Sequence, residues 1–198
     1  MLRKNSEDRR TQKTRKALEE ALISLMFEKS YDAILIKEIL DRANVGRSTF
    51  YTHFRDKYEL LIESFQGLRE LLRNAQMATP ASSGKRYERV IGFSLAMFEH
   101  AYDHKKIFLT QVGRPGWLLV SQHIEEILVQ LMKDEARALF KRNASSEVPF
   151  ELFIHSLGAT FMSVMTWWFN FKRPLPPKEI NALFRELVMP TLAAQLDH

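Results

Sequence analysis

Apolar residues recur at helical spacing along almost the whole chain. Leu18, Ala21, Leu22, Leu25 and Met26 form a first stripe, and the helix that carries it is expected to end near Lys29. Ser6, followed by Glu7 and Asp8, reads as its start, which leaves about the first five residues free. Tyr31 and Ile34 then lead into a second stripe at Ile36, Ile39, Leu40 and Ala43. A break follows at Asn44-Val45-Gly46. Asparagine tolerates the left-handed backbone that a sharp turn needs, and Val45 is placed to plug the angle between two helices. In the third segment only Phe50 and Phe54 are strongly apolar, so one face is anchored inward and the other is left outward. Asp56 caps a fourth helix, with Glu59 completing a capping box. That helix runs through Leu61, Phe65, Leu68 and Leu72 to about Met77, where Ala78 to Gly84 supplies a run of small residues and breakers.

Five more helices follow. They span about Arg86 to Asp103, Lys106 to Val112, Trp117 to Lys141, Pro149 to Phe171, and Lys178 to Leu196. Gly113-Arg-Pro-Gly116 and Pro174-Leu-Pro-Pro177 punctuate them, and Pro190 is expected to kink the last. With no strand-like alternation of useful length, the fold class is all-α, with about nine helices. Residues 1–56 form a first domain, 57–77 connect it, and 85–198 make a second domain.

The outward face of the third segment presents Arg47, Ser48, Thr49, Tyr51, Thr52 and His53. An ordinary solvated face would carry Glu and Lys, and between Gly46 and Phe54 there is neither. Arginine reads guanine edges bidentately, whereas hydroxyls, tyrosine and histidine bond phosphate oxygens. Two short helices around a tight turn with such a face make a helix-turn-helix reader of DNA. Arg47, Ser48 and Thr52 are assigned to base edges; Thr49, Tyr51, His53 and Lys57 are assigned to phosphates. Charge points the same way. The chain carries +5, and the first sixteen residues hold seven basic groups against two acidic ones, so the rest is neutral. Arg9, Arg10 and Lys13 are therefore placed to add salt-dependent backbone contacts.

The Thr49-Phe-Tyr-Thr-His-Phe54 string, Lys57 after it and the upstream Lys29-Ser-Tyr-Asp32 turn resemble the DNA-binding domain of the tetracycline-repressor (TetR) family, over about Arg9 to Leu61. The resemblance implies an all-helical regulator that dimerises through its C-terminal half. It also implies a small-molecule or partner signal that alters affinity for a palindromic operator. Three positions depart from the usual pattern: Leu35 stands for a Thr or Ser N-cap, Asn44 for Gly, and Gly46 for a capping Ser or Thr. Gly46 still caps adequately but loses a hydroxyl, which shifts the burden of recognition onto Arg47 and Ser48.

Leu152 to Phe171 contains no charged side chain, yet His155, Ser156, Thr160, Ser163, Thr166 and Asn170 argue against a membrane span. Ser156, Thr160, Ser163, Trp167 and Asn170 share one side, opposite Phe153, Leu157, Phe161, Val164, Met165 and Trp168. Such a helix must be covered on both sides, so the expectation is a four-helix dimer interface with the last helix. Gly158, Ala159 and Ser163 would admit a close partner. Phe93, Met97, Phe108, Trp117, Phe161, Met165 and Trp168 are the candidates for lining a ligand pocket, although large residues at helical spacing are more often core. His100 and His104 lack a third ligand at metal spacing, so no metal or cofactor is assigned. No nucleophile-base pair, phosphate loop or paired acids appear, which argues against an enzyme. The Trp near the end of the penultimate helix and the Pro-Leu-Pro-Pro-Lys-Glu start of the last resemble a branch that includes regulators of dihydroxyacetone metabolism. In that branch some members are coactivators working with a protein partner. An interaction module that no longer reads DNA is a further alternative. Absence of cysteine and of an early apolar run predicts a cytoplasmic protein beside the nucleoid.

Overall fold

A computed structural model of the chain describes residues 2–80, 86–137, 139–140, 148–171 and 175–196. Every regular element among them is helical. In order these are α1 (Leu2–Met26), a 3-10 turn (Tyr31–Ala33), α2 (Ile36–Ala43), α3 (Arg47–His53), α4 (Lys57–Ser64) and α5 (Gln66–Ala78), then a second 3-10 turn (Arg86–Ile91), α6 (Ser94–Asp103), α7 (Lys105–Gln111), α8 (Trp117–Ala136), α9 (Phe150–Asn170) and α10 (Pro177–Leu196). The all-α expectation holds. The fourth predicted helix is two, α4 and α5, divided at Phe65, and the expected helix from Arg86 begins as a 3-10 turn. Helix α1 starts before Ser6. Helix α8 ends at Ala136, short of the expected end near Lys141. The side chains of Arg3, Lys4, Ser6, Glu7 and Asp8, the breakers from Ala81 to Gly84, Lys141 itself, and Pro174 lie outside the described residues.

The chain divides into two compact units. The first comprises Met1–Gly67 and Leu109–Leu118; the second comprises Leu68–Phe108 and Leu119–His198. In the first, α1 packs on α2 and α4, with Leu18, Leu22, Ile39, Phe50, Leu60 and Leu61 wholly buried. The predicted stripe of α1 is buried at all five positions.

In the second unit α10 packs on α6 and α9. Its centre is aromatic: the Phe98 and Phe161 rings stack at 4.7 Å, and Phe184 meets Phe161 edge-on at 4.9 Å. Trp168, edge-on to Phe98, donates its indole N–H to Leu175 O at 2.9 Å. Gln76 is buried beside this core and donates to Val90 O and Leu131 O, which satisfies its amide. Helix α9 is long and apolar enough to cross a membrane by length and composition. It is two-faced nonetheless, since Phe153, Leu157, Phe161, Met165 and Trp168 are buried while Ser156, Ser163, Trp167 and Asn170 are exposed.

Candidate nucleic-acid interface

The geometry of the reading head begins at Asn44, the only non-glycine residue with positive φ among the described residues (φ 53°, ψ 46°). The Val45 N–H reaches back to Leu40 O at 3.1 Å, which closes α2 in the left-handed manner expected of an asparagine C-terminus. Val45 itself is half-buried in the bend. At the other end of α2, Leu35 has no side-chain oxygen to offer, so only half of a capping box exists. Glu38 accepts the Leu35 N–H at 2.9 Å. Glu38 also pairs with Lys29, and these two contacts hold its carboxyl below the usual range.

Gly46 enters α3 with extended backbone (φ −69°, ψ 149°), and Phe50 N–H donates to its carbonyl at 3.1 Å. Phe50 and Phe54 are buried at 0% and 2% exposure, which fixes the rotation of the helix. Arg47, Ser48, Thr49, Tyr51 and Thr52 are then exposed on one side, and His53 is half-buried. The Arg47 guanidinium carbon lies 5.9 Å from the Tyr51 ring centroid, so these side chains support one another. Thr52 donates its hydroxyl proton to Ser48 O at 3.0 Å. It can therefore meet a base as an acceptor or by its methyl group, but not as a donor without breaking that bond. Arg9, Arg10 and Lys13 are exposed on α1.

Lys57 departs from the expected orientation. Its ammonium is half-buried and donates to Tyr31 O at 2.8 Å and Ile34 O at 2.6 Å, 4.3 Å from the Tyr31 ring centroid. The Tyr31 carbonyl, which also accepts the Ile34 N–H at 3.2 Å, and the Ile34 carbonyl that follows the turn are both within reach of this lysine in the first turn of α4. Burial pushes its pKa down, against the opposing pull of Asp32 and Glu38, and pushes the Tyr31 phenol up to about 12. Asp56 caps α4 by accepting the Glu59 N–H at 2.8 Å, as the sequence predicts. Glu59, however, reaches past Asp56 to the Arg55 N–H at 2.6 Å.

Sequence reasoning missed Gln111, which is wholly buried in the first unit and bonded to Met26, Lys29 and Tyr31. A lone glutamine on a seven-residue helix gives no periodic signal.

In the second unit the pocket candidates Phe93, Met97, Phe108, Phe161, Met165 and Trp168 are all buried, and Phe161 and Trp168 join through Phe98 in one cluster. Trp117 belongs to the first unit. The rings of His100 and His104 stack at 4.2 Å, and burial pushes the His100 pKa down to about 4. No group of three or more metal-ligating side chains occurs among the described residues. Of the interface candidates, Thr160, Ser163 and Trp167 line an open groove with Ala159, Leu183 and Leu187. Gly158 does not join them. It is buried, and a Cβ there would lie 2.8 Å from Val129 Cγ2, so its lack of a side chain serves the packing of α9 on α8.

Comparison with known proteins adds a second line of evidence. Residues 19–63 match the family described as bacterial regulatory proteins, tetR family, and residues 88–190 match a transcriptional regulator C-terminal region. A 55-residue stretch is 44% identical to the uncharacterized HTH-type transcriptional regulator YxbF of Bacillus subtilis, covering 27% of this chain and 14% of that protein. The chain thus spans a small part of this curated relative. Solved structures resemble it along most of their length, among them these two. A putative TetR-family transcriptional regulator from Syntrophomonas wolfei is 19% identical with a TM-score of 0.70, covering 92% of this chain and 96% of its own. RolR in complex with resorcinol is 17% identical with a TM-score of 0.60, covering 91% and 89%.

Proposed function

Because the chain belongs to the TetR family and is a DNA-binding transcriptional regulator, we propose that it acts as a homodimeric repressor whose hold on a palindromic operator responds to a small molecule. The observation that carries this is the face of α3, where buried Phe50 and Phe54 leave Arg47, Ser48, Thr49, Tyr51 and Thr52 exposed together. Arg47 and Ser48 read base edges, with Thr52 as an acceptor. Thr49, Tyr51 and His53 bond phosphates, and Arg9, Arg10 and Lys13 extend the electrostatic contact from α1. Lys57 supports the head from within.

The second copy is proposed to cover the groove between α9 and α10. Trp167 and Leu187 are 48% and 62% exposed there, and an apolar strip on a soluble regulator calls for a partner. A dimer also places two reading heads in successive major grooves, which a palindromic site requires. The effector is proposed to enter the aromatic second unit, and the structurally similar RolR, solved in complex with resorcinol, supports a small-molecule ligand. The setting is the cytoplasm, where the DNA is.

Fluorescence anisotropy with the DNA upstream of the protein's own gene, against a scrambled duplex at several salt concentrations, tests the core of this reading. Specific binding that weakens steeply with salt is expected. Equal affinity for the two duplexes would overturn it.

A further inference from the structure

Gln111 is a buried polar side chain with both polar atoms engaged. Its Nε2 donates to Met26 O at 3.0 Å and Lys29 O at 2.9 Å, and its Oε1 accepts the Tyr31 N–H at 2.7 Å. Five residues on, the Gly116 N–H donates to Asp32 Oδ1 at 3.1 Å. Gly116 has no room for anything larger, because a Cβ would sit 2.8 Å from Asp32 N and 3.2 Å from Tyr31 Cβ. Two independent features of the Leu109–Leu118 segment therefore grip one short stretch, the connection from α1 to α2. Tyr31 is the centre of that grip. Its N–H is held by Gln111 and its carbonyl by Lys57, the first residue of α4, which follows α3 after three residues.

The covalent path gives this staple its meaning. Helix α7 enters the first unit at Leu109 and α8 leaves it after Leu118, so both ends of the segment continue into the second unit. A movement of α7 or α8 along its axis would withdraw Gln111 from three backbone groups at once, two of them in buried bonds. Such groups are costly to leave unpaired, which disfavours a half-made staple.

We infer that Gln111 and Gly116 are positioning residues which transmit the state of the second unit to the DNA-reading helix, through Tyr31 and Lys57. The inference rests on the regulatory reading above and adds the route by which the signal travels. Reciprocity allows a test without the effector: if the second unit alters DNA binding through the staple, DNA must alter the second unit through it.

The experiment is hydrogen-deuterium exchange of the full chain, with and without the DNA upstream of its own gene, for the wild type, Gln111→Met and Asp32→Ala. In the wild type, DNA should slow exchange in residues 26–34 and also in α6 and α8. Gln111→Met should weaken binding roughly five- to a hundredfold. At saturating DNA it should also abolish the response of α6 and α8, which a merely structural residue would leave intact. Asp32→Ala, on an exposed side chain, should reduce the same response, and it decides the matter should Gln111→Met fail to fold. A full response of α6 and α8 in both variants would overturn the route while leaving the regulator in place. A wild type that binds no DNA would overturn the function and the route together.

Discussion

Arg47 is the residue from which most sequence preference is expected. Arg47→Ala should cost about 1–3 kcal/mol at the cognate site and relax the preference at one base position. A loss of equal size on specific and scrambled duplexes would assign Arg47 to the phosphates instead. Lys57 invites the opposite experiment. Lys57→Met keeps the apolar stem but leaves the carbonyls of Tyr31 and Ile34 without their charged donor, so it should lower the stability of the first unit by about 2 kcal/mol in denaturant titrations. An unchanged unfolding midpoint with a reduced salt slope of DNA binding would make Lys57 a phosphate contact after all. The difference between these two residues shows what the sequence reveals at this scale. Arg47 is exposed because neighbours four residues apart, Phe50 and Phe54, anchor the helix, and that is local information. The acceptors of Lys57 lie 23 and 26 residues away, and no spacing rule connects them. The hydroxyl of Thr52 is a third case: its acceptor, Ser48 O, lies only four residues back, and that local bond competes with any donor role toward DNA.

At the scale of elements, stripes were legible wherever one face of a helix is buried, as in α1, α2 and α9. The division of α4 from α5 was not, because Leu61, Phe65, Leu68 and Leu72 continue a helical period across the break at Phe65. The small-residue rule also misled at Gly158, whose open side meets Val129 of the same unit and not a second copy. Gly158→Ala measures that packing. Helix propensity favours alanine by about 1 kcal/mol, while the overpacking against Val129 costs about 1–3 kcal/mol. A lower thermal midpoint is expected. A higher one would mean that α8 and α9 separate without strain and that the glycine is spare.

For the whole molecule, the groove between α9 and α10 predicts the oligomeric state. Trp167→Glu with Leu187→Glu should leave helicity intact and convert a dimer to a monomer in sedimentation velocity. A monomeric wild type at micromolar concentration would remove the interface from this face. Stability should also depend on acidity through His100. Its pKa is pushed down to about 4 from the ordinary 6.5, so the folded state binds its proton less readily than the unfolded chain does. The contribution is therefore fully present above pH 6.5 and is lost as the pH falls toward 4, amounting to about 3 kcal/mol at most. His100→Phe should flatten the acid limb of the stability profile, and an identical limb would assign it to other groups. The Leu109–Leu118 segment has a last consequence, for modularity. A reading head cut out at Gly67 and grafted onto another regulator would arrive without the glutamine that holds Tyr31, so keeping that contact means transplanting ten residues from the far half of the chain with it. The first unit is thus not contained in the N-terminal stretch alone.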